Sequence, residues 1–124
     1  MVFVLRLSKV FCDNFFIMTQ KEFESIITTD RLVLVDFYAT WCGPCRAMHP
    51  VLDALADQMQ NAVDVLRLDV DRHENTEPVQ HYRVMSVPTF ILFRQGRMLW
   101  RESGVLTLDT LCDVVRRFER VEAY

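Results

Sequence analysis

Two cysteines stand two residues apart in Trp41-Cys42-Gly43-Pro44-Cys45, between an apolar run, Leu32 to Tyr38, and an amphipathic run from Arg46 to about Gln60. The order reads as strand, tight turn and helix, with a dithiol at the junction. On the first turn of a helix, residues i and i+3 share a face and are close enough to form a disulfide without large backbone movement. The helix start also sets unpaired backbone N–H groups and the positive end of the macrodipole beside the first sulfur. Cys42 is therefore expected to ionise more readily than a free thiol. Since the thiolate is the attacking species in disulfide exchange, the spacing supplies a nucleophile, Cys42, facing solvent, and a resolving partner, Cys45, within reach.

Asp36 is a further candidate. It interrupts Leu32-Val33-Leu34-Val35-Asp36-Phe37-Tyr38, a run with the pattern of a strand buried on both faces. A carboxylate there is costly unless it is paired, hydrated or kept partly neutral, and it sits on the strand that feeds the dithiol turn. The plainer reading is a satisfied core aspartate. A CxxC can also be half of a zinc site, but structural zinc takes four ligands. His49 is near in sequence, yet neither Cys12 nor Cys112 belongs to a second CxxC or CxxH, so no metal is expected. Cys112 reads as a small core hydrophobe. His49, His73 and His81 read as surface residues, because no spacing pairs them with a nucleophile.

The scaffold that holds these residues is a chain of 124 residues, 51% hydrophobic, which is one domain with a real core. The net charge is −3 and no basic run exceeds two residues, so neither nucleic acid nor an anionic membrane surface is an expected partner. Arg6, Lys9 and Asp13 interrupt the apolar N-terminal stretch and no alanine precedes Ala39, which disfavours a cleaved signal and a membrane span. Four cysteines, two of them in CxxC, suit a reducing cytoplasm better than a secreted disulfide framework.

Residues 1–14 read as an N-terminal extension and 15–124 as the domain. Phe15-Phe16-Ile17-Met18 is expected to be a short strand. Thr19 with Glu22 forms a capping-box signature for a helix with Phe23, Ile26 and Ile27 on its apolar stripe. After the dithiol, Cys45, Met48, Leu52, Leu55, Ala56 and Met59 fall on one helical stripe, so Cys45 should be the more buried thiol. Pro50 inside that helix predicts a kink, not a break. Val63 to Val70 is the next strand and about Glu74 to Tyr82 a short helix; strand, helix, strand, helix implies parallel pairing. Val87-Pro88-Thr89 opens a strand from Phe90 to Phe93, which turns at Gln95-Gly96 into an antiparallel partner, Met98 to Glu102. The final helix takes Thr107 as N-cap and buries Leu108, Leu111, Cys112, Val115 and Phe118.

Taken together, Val35 to Arg46 around the pentapeptide, Arg67-Leu68-Asp69-Val70-Asp71, Val87-Pro88-Thr89 and a glycine after the last strand resemble the thioredoxin family over about residues 15–120. The resemblance implies an α/β thioredoxin fold, a central mixed five-stranded sheet flanked by four helices. It implies a protein-disulfide reductase that maintains cell redox homeostasis. Cys42 attacks a client disulfide to give a mixed disulfide, Cys45 resolves it, and Asp36, through water, is the proton acceptor for Cys45. Pro88 is implied to be a cis proline facing the dithiol, with the Val87 backbone pairing with the substrate strand. Trp41, Gly43, Pro44, Val87, Gly104 and Val105, with Pro88 and Thr89, form the docking surface.

The same resemblance implies a monomer with no bound cofactor. Electrons come from NADPH through thioredoxin reductase, and clients include proteins such as peroxiredoxin, methionine sulfoxide reductase and ribonucleotide reductase. Two departures stand out. Arg67 occupies a position where members commonly carry lysine near the buried aspartate; it keeps the charge as an electrostatic contribution but cannot deliver a proton. Tyr38 replaces a tryptophan found in many members. Two other readings stay open: an oxidase or isomerase, against which Gly43-Pro44 argues by resemblance, and a binding module whose redox chemistry is dispensable.

Overall fold

The computed structural model describes residues 20–119. In chain order these form α1 (Gln20–Ile27), β1 (Leu32–Tyr38), α2 (Gly43–Gln58), β2 (Val63–Asp69), a 3-10 turn (His73–Asn75) running into α3 (Thr76–His81), β3 (Thr89–Arg94), β4 (Arg97–Ser103) and α4 (Leu108–Glu119). The strands make a sheet in the order β2-β1-β3-β4. β1 and β2 are parallel, as the strand–helix–strand order implied, whereas β3 returns antiparallel to β1 and pairs with β4 as a hairpin.

Among the described residues the sheet has four strands, which corrects the expectation of five. The extra strand was placed at Phe15–Met18. That segment lies outside the described residues, as do the extension 1–14 and Thr19 of the capping box. A run of four apolar residues is too short to display a period, so it specifies neither a strand nor a pairing partner.

β1 is buried along its whole length because both of its faces are covered. Its alternate side chains sort between two layers. Val33, Val35 and Phe37 join Phe23 and Ile27 of α1 and Ile91 and Phe93 of β3, while Leu32 and Leu34 join Met48, Leu52 and Leu55 of α2 and Leu111 and Val115 of α4. Helix α2 runs unbroken through Pro50. The β3–β4 turn consists of Gln95 and Gly96, with φ of 55° and 79°, the paired left-handed conformation that matches the twist of a two-residue hairpin. Its amides donate to Thr29 O and Ile27 O, both at 2.9 Å, and so tie the hairpin to the end of α1.

Thr107 caps α4 as its sequence position implies: the Thr110 amide donates to Thr107 Oγ1 at 3.1 Å. Thr107→Ala should cost about 1 kcal/mol in urea unfolding. A cost indistinguishable from zero would show that the bond adds nothing to the helix start.

Candidate active site

Strand β1 delivers the chain through buried Ala39 to an exposed Thr40-Trp41 corner, and α2 starts at Gly43. Cys42 is the N-cap, with extended backbone (φ −90°, ψ 115°), and its Sγ accepts the Cys45 amide at 3.1 Å. Sulfur thus occupies the place that a serine or aspartate oxygen takes in most caps. Pro44 falls in the first turn, where its missing N–H is no loss. The helix begins three residues before the amphipathic run does, since Gly43, Pro44 and the cap need no buried face. In the reduced state the Cys45 N–H and the helix N-terminus both favour an anion on Cys42.

Here the two cysteines are joined as a disulfide, with Cα atoms 5.2 Å apart. Cys45 is fully buried, in line with its place on the apolar stripe, but Cys42 is itself only 4% exposed, which corrects the picture of a solvent-facing thiol. The cover comes from a distant loop: Val87 O lies 3.9 Å from Cys42 Sγ, and Tyr38, Ala39, Val70 and Val87 pack around the pair.

That loop carries the single cis peptide among the described residues, Val87–Pro88. Pro88 is buried and Val87 half-buried. Pro88 O accepts the Gly104 amide at 2.9 Å, and Gly104 holds φ at 96°, a conformation open to glycine. Thr89 Oγ1 donates to Ser86 O at 2.8 Å and sits 2.7 Å from Ser103 Oγ, which fixes the loop to the start of β3 and the end of β4. The residues expected at the docking surface therefore gather from three segments: Trp41, Gly43 and Pro44 at the helix start, Val87 to Thr89 opposite them, and Gly104 with Val105 beside the latter. Trp41 and Val105 are 68% and 61% exposed, and the Trp41 indole N–H donates to Asp71 Oδ2 at 2.7 Å. Met85, 89% exposed just ahead of Val87, was missed because a lone exposed methionine in a loop carries no pattern.

Two aspartates are buried in the sheet, Asp64 at the end far from the dithiol and Asp36 nearer to it. Asp64 is held bidentately by Arg31, at 2.9 and 3.0 Å. Asp36 is completely buried, and the guanidinium beside it stands farther off, Arg67 Nε to Asp36 Oδ2 3.6 Å. That is ion-pair distance but beyond hydrogen-bond range. By the alternation of β1, Asp36 lies on the α2 side, between Leu34 of the core and Tyr38 of the dithiol cluster. Arg67 is its register partner on β2, and its guanidinium carbon lies 4.2 Å from the centre of the Tyr38 ring.

His49 is the residue the sequence reading misplaced. It is half-buried, edge-on to Tyr38 at 6.0 Å between centroids, and its Nε2 is hydrogen-bonded to Arg67 Nη2. The available signal was its place one turn beyond Cys45, on the inward side of α2. Cys112 is buried on α4, and burial pushes its thiol up from the ordinary range, so it stays protonated and a poor nucleophile at neutral pH. Among the described residues no three or more His, Cys, Asp or Glu side chains gather as a metal site, and no helix is long and apolar enough to cross a membrane.

This geometry is that of a dithiol–disulfide exchange site, and comparison with known proteins agrees. The sequence profile of the family described as Thioredoxin matches residues 14–117. A thioredoxin of Chlamydia trachomatis is 37% identical over 103 residues, which span 83% of this chain and 97% of that protein. A thioredoxin of Alicyclobacillus acidocaldarius is 48% identical over 80 residues, 64% of this chain and 74% of that one. The crystal structure of a thioredoxin from Trypanosoma brucei brucei superposes with a TM-score of 0.80 at 27% identity, covering 98% of this chain and all of that one.

Proposed function

This chain belongs to the thioredoxin family and is a thiol–disulfide oxidoreductase, and from that premise we propose that it runs in the reducing direction, on disulfides of client proteins in the cytoplasm, as a monomer. The observation that carries the reading is the Cys42–Cys45 disulfide at the start of α2, with the Cys45 amide on Cys42 Sγ and the Val87–Pro88 loop facing it. The Cys42 thiolate attacks one sulfur of the client disulfide. That bond breaks, a Cys42–client bond forms, and the second client sulfur leaves and takes a proton. Cys45 then gives its proton to Asp36, through water, and attacks the Cys42 sulfur. The first client sulfur is released, and the chain is left in the disulfide state seen here; two electrons have passed to the client.

Arg67 favours the ionised form of Asp36 and so keeps it able to accept a proton, while burial disfavours that form. Val87, half-buried beside Cys42, offers backbone for an extended client segment. Trp41, Gly43, Pro44, Gly104 and Val105 supply the surrounding apolar surface. Peroxiredoxin, methionine sulfoxide reductase and ribonucleotide reductase are the clients we propose. The oxidised pair is returned to the dithiol by NADPH through thioredoxin reductase.

Insulin-disulfide reduction with NADPH and a thioredoxin reductase tests direction and electron source together. NADPH consumption should depend on this chain; none at all would overturn the reading. Asp36→Asn should slow resolution of a mixed disulfide at pH 7 by about tenfold or more, as expected for loss of a positioned base. An unchanged rate in stopped-flow measurement would remove Asp36 from the mechanism.

A further inference from the structure

We propose that His49 is a positioning residue for the Cys45 proton transfer: its neutral imidazole anchors Arg67, and through Arg67 it keeps Asp36 ionised, so that resolution is switched off when His49 is protonated. The proposal rests on Asp36 as the base, as argued above. Arg67 is held at three points. Its Nε stands 3.6 Å from Asp36 Oδ2, its guanidinium carbon lies 4.2 Å from the Tyr38 ring centre, and its Nη2 is bonded to His49 Nε2. The side chain is 9% exposed, so it has little room to find other partners.

Chemistry settles the direction of the last bond. A guanidinium has donors and no acceptor, and it does not deprotonate in proteins. His49 Nε2 must therefore present its lone pair, which leaves the ring neutral with its proton on Nδ1. A proton arriving at Nε2 removes the only acceptor in that bond and sets two cations side by side. Arg67 then loses one of its three anchors and is pushed from its station, and Asp36, buried without its counter-charge, takes up a proton and can no longer receive the one on Cys45. The sign follows: the anchoring exists while His49 is neutral and is lost as pH falls through the imidazole titration. The charged and titratable groups around the ring are Asp36 and Tyr38 on β1, Arg67 and Asp69 on the same face of β2, and Cys45, Arg46 and Asp53 within one turn on α2.

The imidazole is half-buried at the edge of the cluster, while Asp36 is sealed. Arg67 alone, fixed in charge, provides no response to pH. The device couples the buried base to bulk pH with no proton passing through the guanidinium.

The test follows release of a chromophoric thiol from a mixed disulfide on Cys42 of the full chain, between pH 5.5 and 7.5, the span in which an imidazole ordinarily changes charge. The unsubstituted chain should slow about tenfold from the top to the bottom of that range. His49→Gln keeps a carbonyl oxygen for Arg67 and has nothing to titrate: its rate at pH 7.5 should lie within about twofold of the unsubstituted chain, with an acid fall of less than about threefold. His49→Leu, with no acceptor, should be slow throughout. Nitrogen NMR of the imidazole at pH 7.5 should find Nδ1 protonated and Nε2 bare.

A His49→Gln profile that superimposes on that of the unsubstituted chain would overturn the proposal, as would a protonated Nε2. Asp36→Asn separates the two levels. If it is slow while His49→Gln changes nothing, the His49 role alone fails; if it matches the unsubstituted chain, the base assignment fails and takes the His49 role with it.

Discussion

Replacing Cys45 by serine is expected to trap the chain on its client. Cys42 still attacks, but the sulfur that would break the mixed disulfide is gone, so a covalent adduct builds up and turnover in the insulin assay falls by at least about 1000-fold, the scale on which loss of one member of a catalytic unit is felt. Gel electrophoresis without reductant should show the adduct, and thiol treatment should release it. Cys42→Ser should be as inactive but form no adduct, because Cys45 is fully buried and cannot reach a client from where it lies. Adducts forming equally on either single variant would overturn the assignment of nucleophile and resolver. Retained cellular function in the double variant, Cys42→Ser with Cys45→Ser, would replace the enzyme reading with that of a binding module.

The second large effect is on stability. Phe93 is fully buried on β3, edge-on to Phe23 with centroids 5.8 Å apart and to Tyr82 at 5.1 Å, and it faces Val33 across the β1–β3 ladder. Phe93→Ala should cost about 3–5 kcal/mol, a transfer loss plus a cavity that the rigid sheet on one side cannot collapse into. That is a large share of the roughly 5–15 kcal/mol that holds a domain folded, and the thermal midpoint should fall by more than about 10 °C. Urea and thermal unfolding measure it; a loss below about 1 kcal/mol would show that the ring is not part of a close-packed layer. Because Phe93 belongs to the α1 side of the sheet and the dithiol to the α2 side, activity per folded molecule should change little.

Much of the site was legible from local order, and the particular residues show why. Cys42 and Cys45 are bound together by three residues of helix geometry, which any chain with that strand–turn–helix order must produce. Leu32 to Tyr38 announces a strand covered on both faces, Gln95-Gly96 a two-residue hairpin and Thr107 a helix start; all three are found, since each depends on neighbours within a few residues. The fifth strand was expected at Phe15–Met18, a run too short to show a period, and it lies outside the described residues, among which the sheet has four strands. The antiparallel return of β3 was equally invisible, because pairing is decided between strands distant in the chain.

By itself, then, the sequence determined the dithiol, which of its members lies on the buried stripe, and the strand that carries Asp36, all through periodicities of a few residues. Only the tertiary structure decided what stands against them. The Val87–Pro88 loop covers Cys42 from 45 residues away, so the thiol that local geometry would leave exposed is nearly sealed. His49, which looked like a surface residue, meets Arg67 across 18 residues of chain and lies against Tyr38. No local pattern encodes such contacts: they exist because a helix, two paired strands and a distant loop are pressed together by an apolar core that draws on segments far apart in the chain.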